Sequence, residues 1–97
     1  MLKKSFGYTG RGIAAYPNGD VYDGPFVNGI REGDDGTYKY ATKPLEDGTV
    51  PENIYKGQWK NNQKDGIGKM IYAGVGTYYG YWTDGERNGE GVMTYVN

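Results

Sequence analysis

The stretch Tyr78-Tyr79-Gly80-Tyr81-Trp82-Thr83-Asp84-Gly85-Glu86-Arg87-Asn88-Gly89-Glu90-Gly91 decides the fold. Reduced to its spaced residues it reads Tyr-x-Gly-x-Trp-x-x-Gly-x-x-x-Gly-x-Gly. Tyr78, Gly80 and Trp82 alternate, so an extended chain puts them on one face. Gly89 and Gly91 resume the alternation after a polar segment that contains Gly85. Two alternating runs around a polar, Gly-containing loop predict a β-hairpin.

The same spacing recurs upstream. Tyr55-Lys56-Gly57-Gln58-Trp59 stands 23 residues before it, followed by Asn62 and by Gly66-Ile67-Gly68. Asn62 takes the place of Gly85, and Asn is the next residue to adopt a left-handed turn conformation readily. Met70 and Tyr72 then correspond to Met93 and Tyr95. A weaker copy runs Tyr22-Asp23-Gly24-Pro25-Phe26, then Gly29, then Gly33-Asp34-Asp35-Gly36. Phe26 replaces Trp there, and one extra residue separates the last two glycines.

Tyr22 lies 33 residues before Tyr55, an excess of ten over the 23-residue period. Most of that excess is assigned to 42–52, which contains Pro44 and Pro51, carries net negative charge and predicts a long loop. Further upstream, Gly10-Arg11-Gly12-Ile13-Ala14-Ala15-Tyr16 has the form of a second arm alone, and Pro17-Asn18-Gly19-Asp20 makes a turn. The predicted organisation is a tail or cap over 1–9 and a single domain over 10–97. That domain divides into a half unit 10–21, a unit 22–54 with the inserted loop, and units 55–77 and 78–97. Strands are expected near 11–16, 20–27, 36–41, 53–60, 67–73, 76–83 and 91–96, with no helical period anywhere. Short connections make neighbours pair antiparallel.

Composition sets the kind of core. Apolar residues are 36% of the chain, and Leu occurs only at Leu2 and Leu45 against 11 Tyr and 18 Gly, so a thick aliphatic core is excluded. The expected alternative is a thin layer of rings lying over glycines. One face should carry Tyr16, Tyr22, Phe26, Tyr55, Trp59, Met70, Tyr72, Tyr78, Trp82, Met93 and Tyr95, interleaved with Gly12, Gly24, Gly57, Gly68, Gly80 and Gly91. Each aromatic buries roughly 150–250 Å², an upper bound of a few kcal/mol at about 25 cal/mol per Å². That exceeds the roughly 0.5–1 kcal/mol that a strand glycine costs. The opposite face reads as solvated through Asp23, Pro25, Lys56, Gln58, Lys60, Ile67, Lys69 and Ile71. In the last unit it carries Tyr79, Tyr81, Val92, Thr94 and Val96, an apolar patch suited to a partner or a second copy.

Two intact copies of the seven-position skeleton on a 23-residue period resemble the MORN repeat. The resemblance covers roughly residues 10–96, with departures at 42–52 and at Gly33–Gly36. It implies an all-β, elongated, twisted, single-layer antiparallel sheet of successive hairpins. It also implies a scaffold or adaptor role, with family members found at cytoskeletal and ciliary structures, at membrane junctions, and appended to lipid kinases and methyltransferases. The chain is too short for such an enzyme, so only the appendage role transfers.

Catalytic chemistry finds little purchase. The chain has no His and no Cys, which removes the commonest base and the thiolate metal ligands. Gly10-Arg11-Gly12-Ile13-Ala14-Ala15 fits a loose dinucleotide pattern, but Pro17 forbids the helix that should follow. Glu32, Asp34 and Asp35 read as a solvated turn. A formal net charge of −1 gives no field toward nucleic acid. No stretch approaches the roughly 20 apolar residues of a membrane span, and an intracellular, cytoplasmic location is expected.

The reading is a non-catalytic protein–protein interaction module without cofactor or metal, a small adaptor or a subunit of a larger assembly. Its expected contact residues are Tyr55, Trp59, Met70, Tyr72, Tyr78, Trp82, Met93 and Tyr95, which would receive a helix or an extended peptide. The last strand, Val92–Val96, has little charge and reads as an unprotected edge for a partner or for homodimerisation. Two alternatives stand beside it. Lys56, Lys60, Lys64 and Lys69 would serve a peripheral module on anionic phospholipid, and the family resemblance allows a regulatory appendage acting on an enzyme in trans.

Overall fold

A computed structural model describes residues 7–96, so of the expected tail over 1–9 only residues 7–9 fall within it. The chain forms one antiparallel sheet. Its strands are β1 (Gly10–Ala15), β2 (Val21–Val27), β3 (Ile30–Arg31), β4 (Gly33–Tyr40), β5 (Asn53–Lys60), β6 (Gln63–Tyr72), β7 (Gly76–Thr83) and β8 (Glu86–Tyr95). Spatial order follows chain order, β1-β2-β4-β5-β6-β7-β8, with the short β3 paired to the end of β2. The described residues contain no helix, and the slab measures 44 × 35 × 17 Å. Residues 41–52, which include the expected loop, lie outside the strands.

The hairpins are tighter than the sequence pattern indicated. Second arms were expected to begin near 36, 67 and 91, after polar loops. They begin instead at Ile30, Gln63 and Glu86, immediately after the two-residue turns Asn28-Gly29, Asn61-Asn62 and Asp84-Gly85. Both turn residues have positive φ in every case: 51° and 81°, 53° and 67°, 50° and 87°. That is the geometry whose twist matches a hairpin, and Asn, Asp and Gly adopt it at least cost.

The supposed loop residues are instead bulged strand. Between the pairs Trp82↔Arg87 and Gly80↔Gly91, Tyr81 alone faces Asn88, Gly89 and Glu90. Gln58 alone faces Asp65, Gly66 and Ile67 in the same way. In the first hairpin the bulge falls at Glu32 and splits the arm into β3 and β4, which gives eight strands instead of seven. Gly66 and Gly89, with φ of 97° and 79°, supply the backbone conformation the bulge requires.

The core lies on one face. Tyr22, Phe26, Tyr55, Trp59, Met70, Tyr78 and Trp82 are buried, and the rings run in an unbroken edge-to-face series. Phe26 meets Tyr22 at 5.1 Å, Tyr22 meets Trp59 at 5.3 Å, Trp59 meets Tyr55 at 5.3 Å, Tyr55 meets Trp82 at 5.3 Å, and Trp82 meets Tyr78 at 5.5 Å. Interplanar angles of 79–88° are the orientation the ring quadrupoles favour.

Candidate functional site

Each unit joins the next through one repeated seam. The tyrosine of a first arm lies across a cross-strand glycine pair, and its hydroxyl donates to the carbonyl three residues on. Tyr22 donates to Pro25 at 2.7 Å, Tyr55 to Gln58 at 2.9 Å and Tyr78 to Tyr81 at 3.3 Å. A Cβ on Gly68 would stand 2.1 Å from the Tyr55 hydroxyl, so only glycine lets the ring lie flat. The indole of the following unit then donates back. Trp59 Nε1 reaches the Gly36 carbonyl at 3.1 Å, and Trp82 Nε1 reaches that of Gly68 at 3.2 Å.

A cation closes each seam. Arg31, Lys64 and Arg87 stand five residues after Phe26, Trp59 and Trp82 and pair with them directly across each hairpin, which puts them on the aromatic side. Arg31 lies over the rings of Trp59 at 5.0 Å, Tyr38 at 5.1 Å, Tyr16 at 5.5 Å and Tyr22 at 5.9 Å. Lys64 lies over Trp82 at 4.8 Å and donates to the Tyr40 hydroxyl at 2.9 Å. Arg87 covers Tyr78 at 5.0 Å and Tyr72 at 5.9 Å. These contacts escaped the sequence reading, which grouped Lys64 with Lys56, Lys60 and Lys69. The fixed spacing from each large aromatic was the available signal.

The first unit adds an anionic corner. Asp20, 8% exposed, accepts hydrogen bonds from the Tyr38 hydroxyl at 2.7 Å, the Ala41 amide at 2.7 Å and Asn18 Nδ2 at 3.2 Å. Burial raises its pKa, but those donors and the Arg31 charge outweigh it and hold the carboxyl below its ordinary range. Tyr38 is pushed up to about 12, first by burial and then by the Asp20 carboxylate. Asn53 makes the matching contact in the second unit, accepting from Ala73 N at 2.7 Å. Gly76 occupies that position in the third.

The expected contact residues therefore separate. Tyr55, Trp59, Met70, Tyr78 and Trp82 are buried within the seams, Tyr72 and Met93 are half-buried, and Tyr95 is 68% exposed. The second patch lies on the opposite face. Tyr79, Tyr81 and Val92 are exposed and, with Ile67, line a shallow depression of about 570 Å³ that includes Gly89, Glu90 and Gly91. Thr94 and Val96 are exposed beyond it. On the same outer face the pairings Lys56↔Lys69, Lys69↔Tyr79 and Tyr79↔Val92 make one continuous cross-strand row.

The acidic residues of the first unit disperse into local contacts. Glu32 accepts from the Asn61 amide at 3.3 Å, and Asp34 accepts from Gln58 at 3.3 Å. Among the described residues no group of His, Cys, Asp and Glu could hold a metal ion, and no helix is long and apolar enough to cross a membrane.

A model of the MORN repeat matches residues 55–77 and 78–97, the two units in which the skeleton is intact. Among curated proteins, Alsin of Rattus norvegicus is 39% identical over 64 residues, and Alsin of Homo sapiens is 36% identical over 64 residues. Each alignment covers 66% of this chain and 4% of the relative, so the chain spans a small part of the length of the proteins it matches. The first unit falls outside the family match, yet its strand pairing and its tyrosine lid follow the same plan. With the repeat matched in tandem over 55–77 and 78–97 and its hairpins stacked through one recurring seam, those two units are MORN repeats.

Proposed function

We propose that the chain is a non-catalytic protein–protein interaction module, an adaptor or subunit that docks a partner on its last unit. The observation that carries this is the distribution of exposed apolar surface. Tyr79, Tyr81 and Val92 are 56%, 50% and 65% exposed, lie side by side on the outer face and border an open depression. Contiguous apolar surface of this kind marks a contact site more often than isolated exposed residues do. The buried seam residues hold the sheet, so the surface offered is the outer patch together with Tyr72, Met93 and Tyr95 at the margin of the aromatic face.

The test is reconstitution. A partner captured on the chain is purified and remixed with wild type, with Tyr81→Lys and with Val92→Lys, each variant first shown to keep the wild-type circular dichroism. Binding should fall at least tenfold in both variants. A partner that binds all three alike removes the patch from the interface.

The outer-face row gives a specific basis for a second reading. Lys56 and Lys69 face each other across β5 and β6 and continue into Tyr79 and Val92, a basic strip that leads into an apolar one. Such a strip suits a module lying on anionic phospholipid. Co-sedimentation with phosphatidylserine vesicles should then weaken as salt rises and disappear with Lys56→Glu/Lys69→Glu. Sedimentation that ignores both salt and the substitutions rejects this reading.

A further inference from the structure

Most of the ten residues by which the first unit exceeds the repeat period are built into a finger between β4 and β5. We propose that this finger docks on the outer face of a second copy of the chain. Its acidic tip, Glu46 and Asp47, would meet Lys56 and Lys69, and its aliphatic flank, Leu45 and Val50, would cover Tyr79, Tyr81 and Val92. The assignment rests on the reading of that outer patch as a docking surface and names its occupant.

Stacking of the units does not call for the finger. Residues 73–75 are enough to join β6 to β7, where 41–52 join β4 to β5. The longer connection is nevertheless ordered by its own bonds. The Leu45 amide donates to the Thr49 carbonyl at 2.8 Å, and the Gly48 amide donates back to the Leu45 carbonyl at 2.9 Å. With Gly48 at a φ of 88°, this is a small hairpin closed by a three-residue loop. The Thr42 hydroxyl donates to the Pro51 carbonyl at 2.6 Å across its stem, and Lys39 pairs with Glu52 at 3.1 Å at its base. Asp47 accepts from the Thr49 amide at 2.8 Å, which holds its carboxyl below the ordinary range and keeps the tip anionic. A finger already in shape loses little freedom when it docks.

The surface it presents is the complement of the outer face. Leu45 and Val50 are each 54% exposed in a chain poor in aliphatic residues, and they flank the two carboxylates. The row Lys56, Lys69, Tyr79, Val92 crosses four successive strands, each about 4.8 Å from the next, and passes from basic to apolar over about 14 Å. Acidic and aliphatic groups stand within a similar span on the finger. Opposite charge sets the register and apolar contact supplies the burial. The finger does not cover the face of its own chain, since Leu45, Val50, Tyr79 and Tyr81 are all about half exposed. Every copy carries both halves of the contact, so a second copy meets the requirement without any further component.

The test is the solution mass of the 97-residue chain by light scattering, without lipid. Mass should rise with concentration across the micromolar to millimolar range, and the rise should weaken as salt is added. Leu45→Lys, which spoils the finger, and Lys56→Glu/Lys69→Glu, which spoils the face, should each weaken self-association by at least about tenfold while keeping the wild-type circular dichroism. An equimolar mixture of the two variants should associate again, because one supplies an intact face and the other an intact finger. A wild-type mass that stays monomeric, variants that associate as wild type does, or a mixture no heavier than its parts would overturn the finger contact. If Tyr81→Lys and Val92→Lys still release the reconstituted partner, the interaction-module reading stands without it.

Discussion

The first and last units share one plan and differ in how they are enclosed. Tyr22 is completely buried, with Phe26 on one side, Trp59 on the other and Arg31 above. Tyr78 has Trp82 on one side and, across β8, no further ring among the described residues. The first unit also owns the Asp20 corner, where the last has Gly76. The same residues at the same spacing therefore give a rigid element in one place and an open edge in the other. Neighbours, more than sequence, set what each unit can do.

The largest expected effect that would break this comparison comes from tryptophan. Trp59→Ala should cost about 3–5 kcal/mol, because it removes a buried ring shared by two units. Trp82→Ala should cost less and release mainly β7 and β8. Urea unfolding together with amide exchange separates the two, and equal costs with equal loss of protection would refute a graded sheet.

Glycine gives the next contrast. A Cβ at Gly68 or Gly91 would stand 2.1 Å from a tyrosine hydroxyl in each case. Tyr55 is enclosed by Trp82 and cannot retreat, so Gly68→Ala should cost about 2–3 kcal/mol. Tyr78 has an open side, and Gly91→Ala should cost about 1 kcal/mol as the ring swings outward. Thermal unfolding of the two variants reads the difference.

Acid sharpens the comparison from the other end. The Asp20 pKa is lowered in the folded state, so its stabilisation is present above the unfolded value near 3.8 and is lost as pH falls through the folded value. Asp20→Ala should cost about 1–3 kcal/mol near neutrality, since Tyr38 and the Ala41 amide lose their acceptor. The variant should also show a shallower acid transition than wild type. An unchanged acid limb would assign acid sensitivity to other carboxylates.

The smallest effect expected is that of Arg87→Ala. An exposed cation over aromatic rings contributes about 0.5–1 kcal/mol, and a partly buried one over four rings, such as Arg31, should contribute more, up to about 2 kcal/mol. Paired urea midpoints for Arg31→Ala and Arg87→Ala would test that ratio.

Much of the fold was legible because the repeat is written in residues with few alternatives. Tyr, Gly and Trp at alternating positions fixed the first arms, and Asn62 in the place of Gly85 was rightly read as a left-handed turn residue. The bulges were not legible. The polar run Glu86–Asn88 resembles a loop in composition, and only its pairing with Trp82 and Thr83 shows it to be strand. The cation over each seam was hidden for the same reason, since it faces its aromatic directly across the hairpin from within the run that reads as loop. Of the candidate site, the outer patch of Tyr79, Tyr81 and Val92 was visible as excess apolar residues on a polar face. How fully a seam tyrosine is enclosed was not visible, because Tyr55 and Tyr78 stand in the same Tyr-x-Gly-x-Trp skeleton.

The sequence by itself determined the repeat, the antiparallel hairpins and the thin aromatic core, because spacing and residue type act locally along each arm. Tertiary structure alone decided which copy of the seam is filled. An indole reaches a carbonyl only in the neighbouring unit, as Trp82 reaches Gly68 and as nothing described reaches Gly91. Enclosure is a property of adjacent units, and no single unit's sequence encodes it.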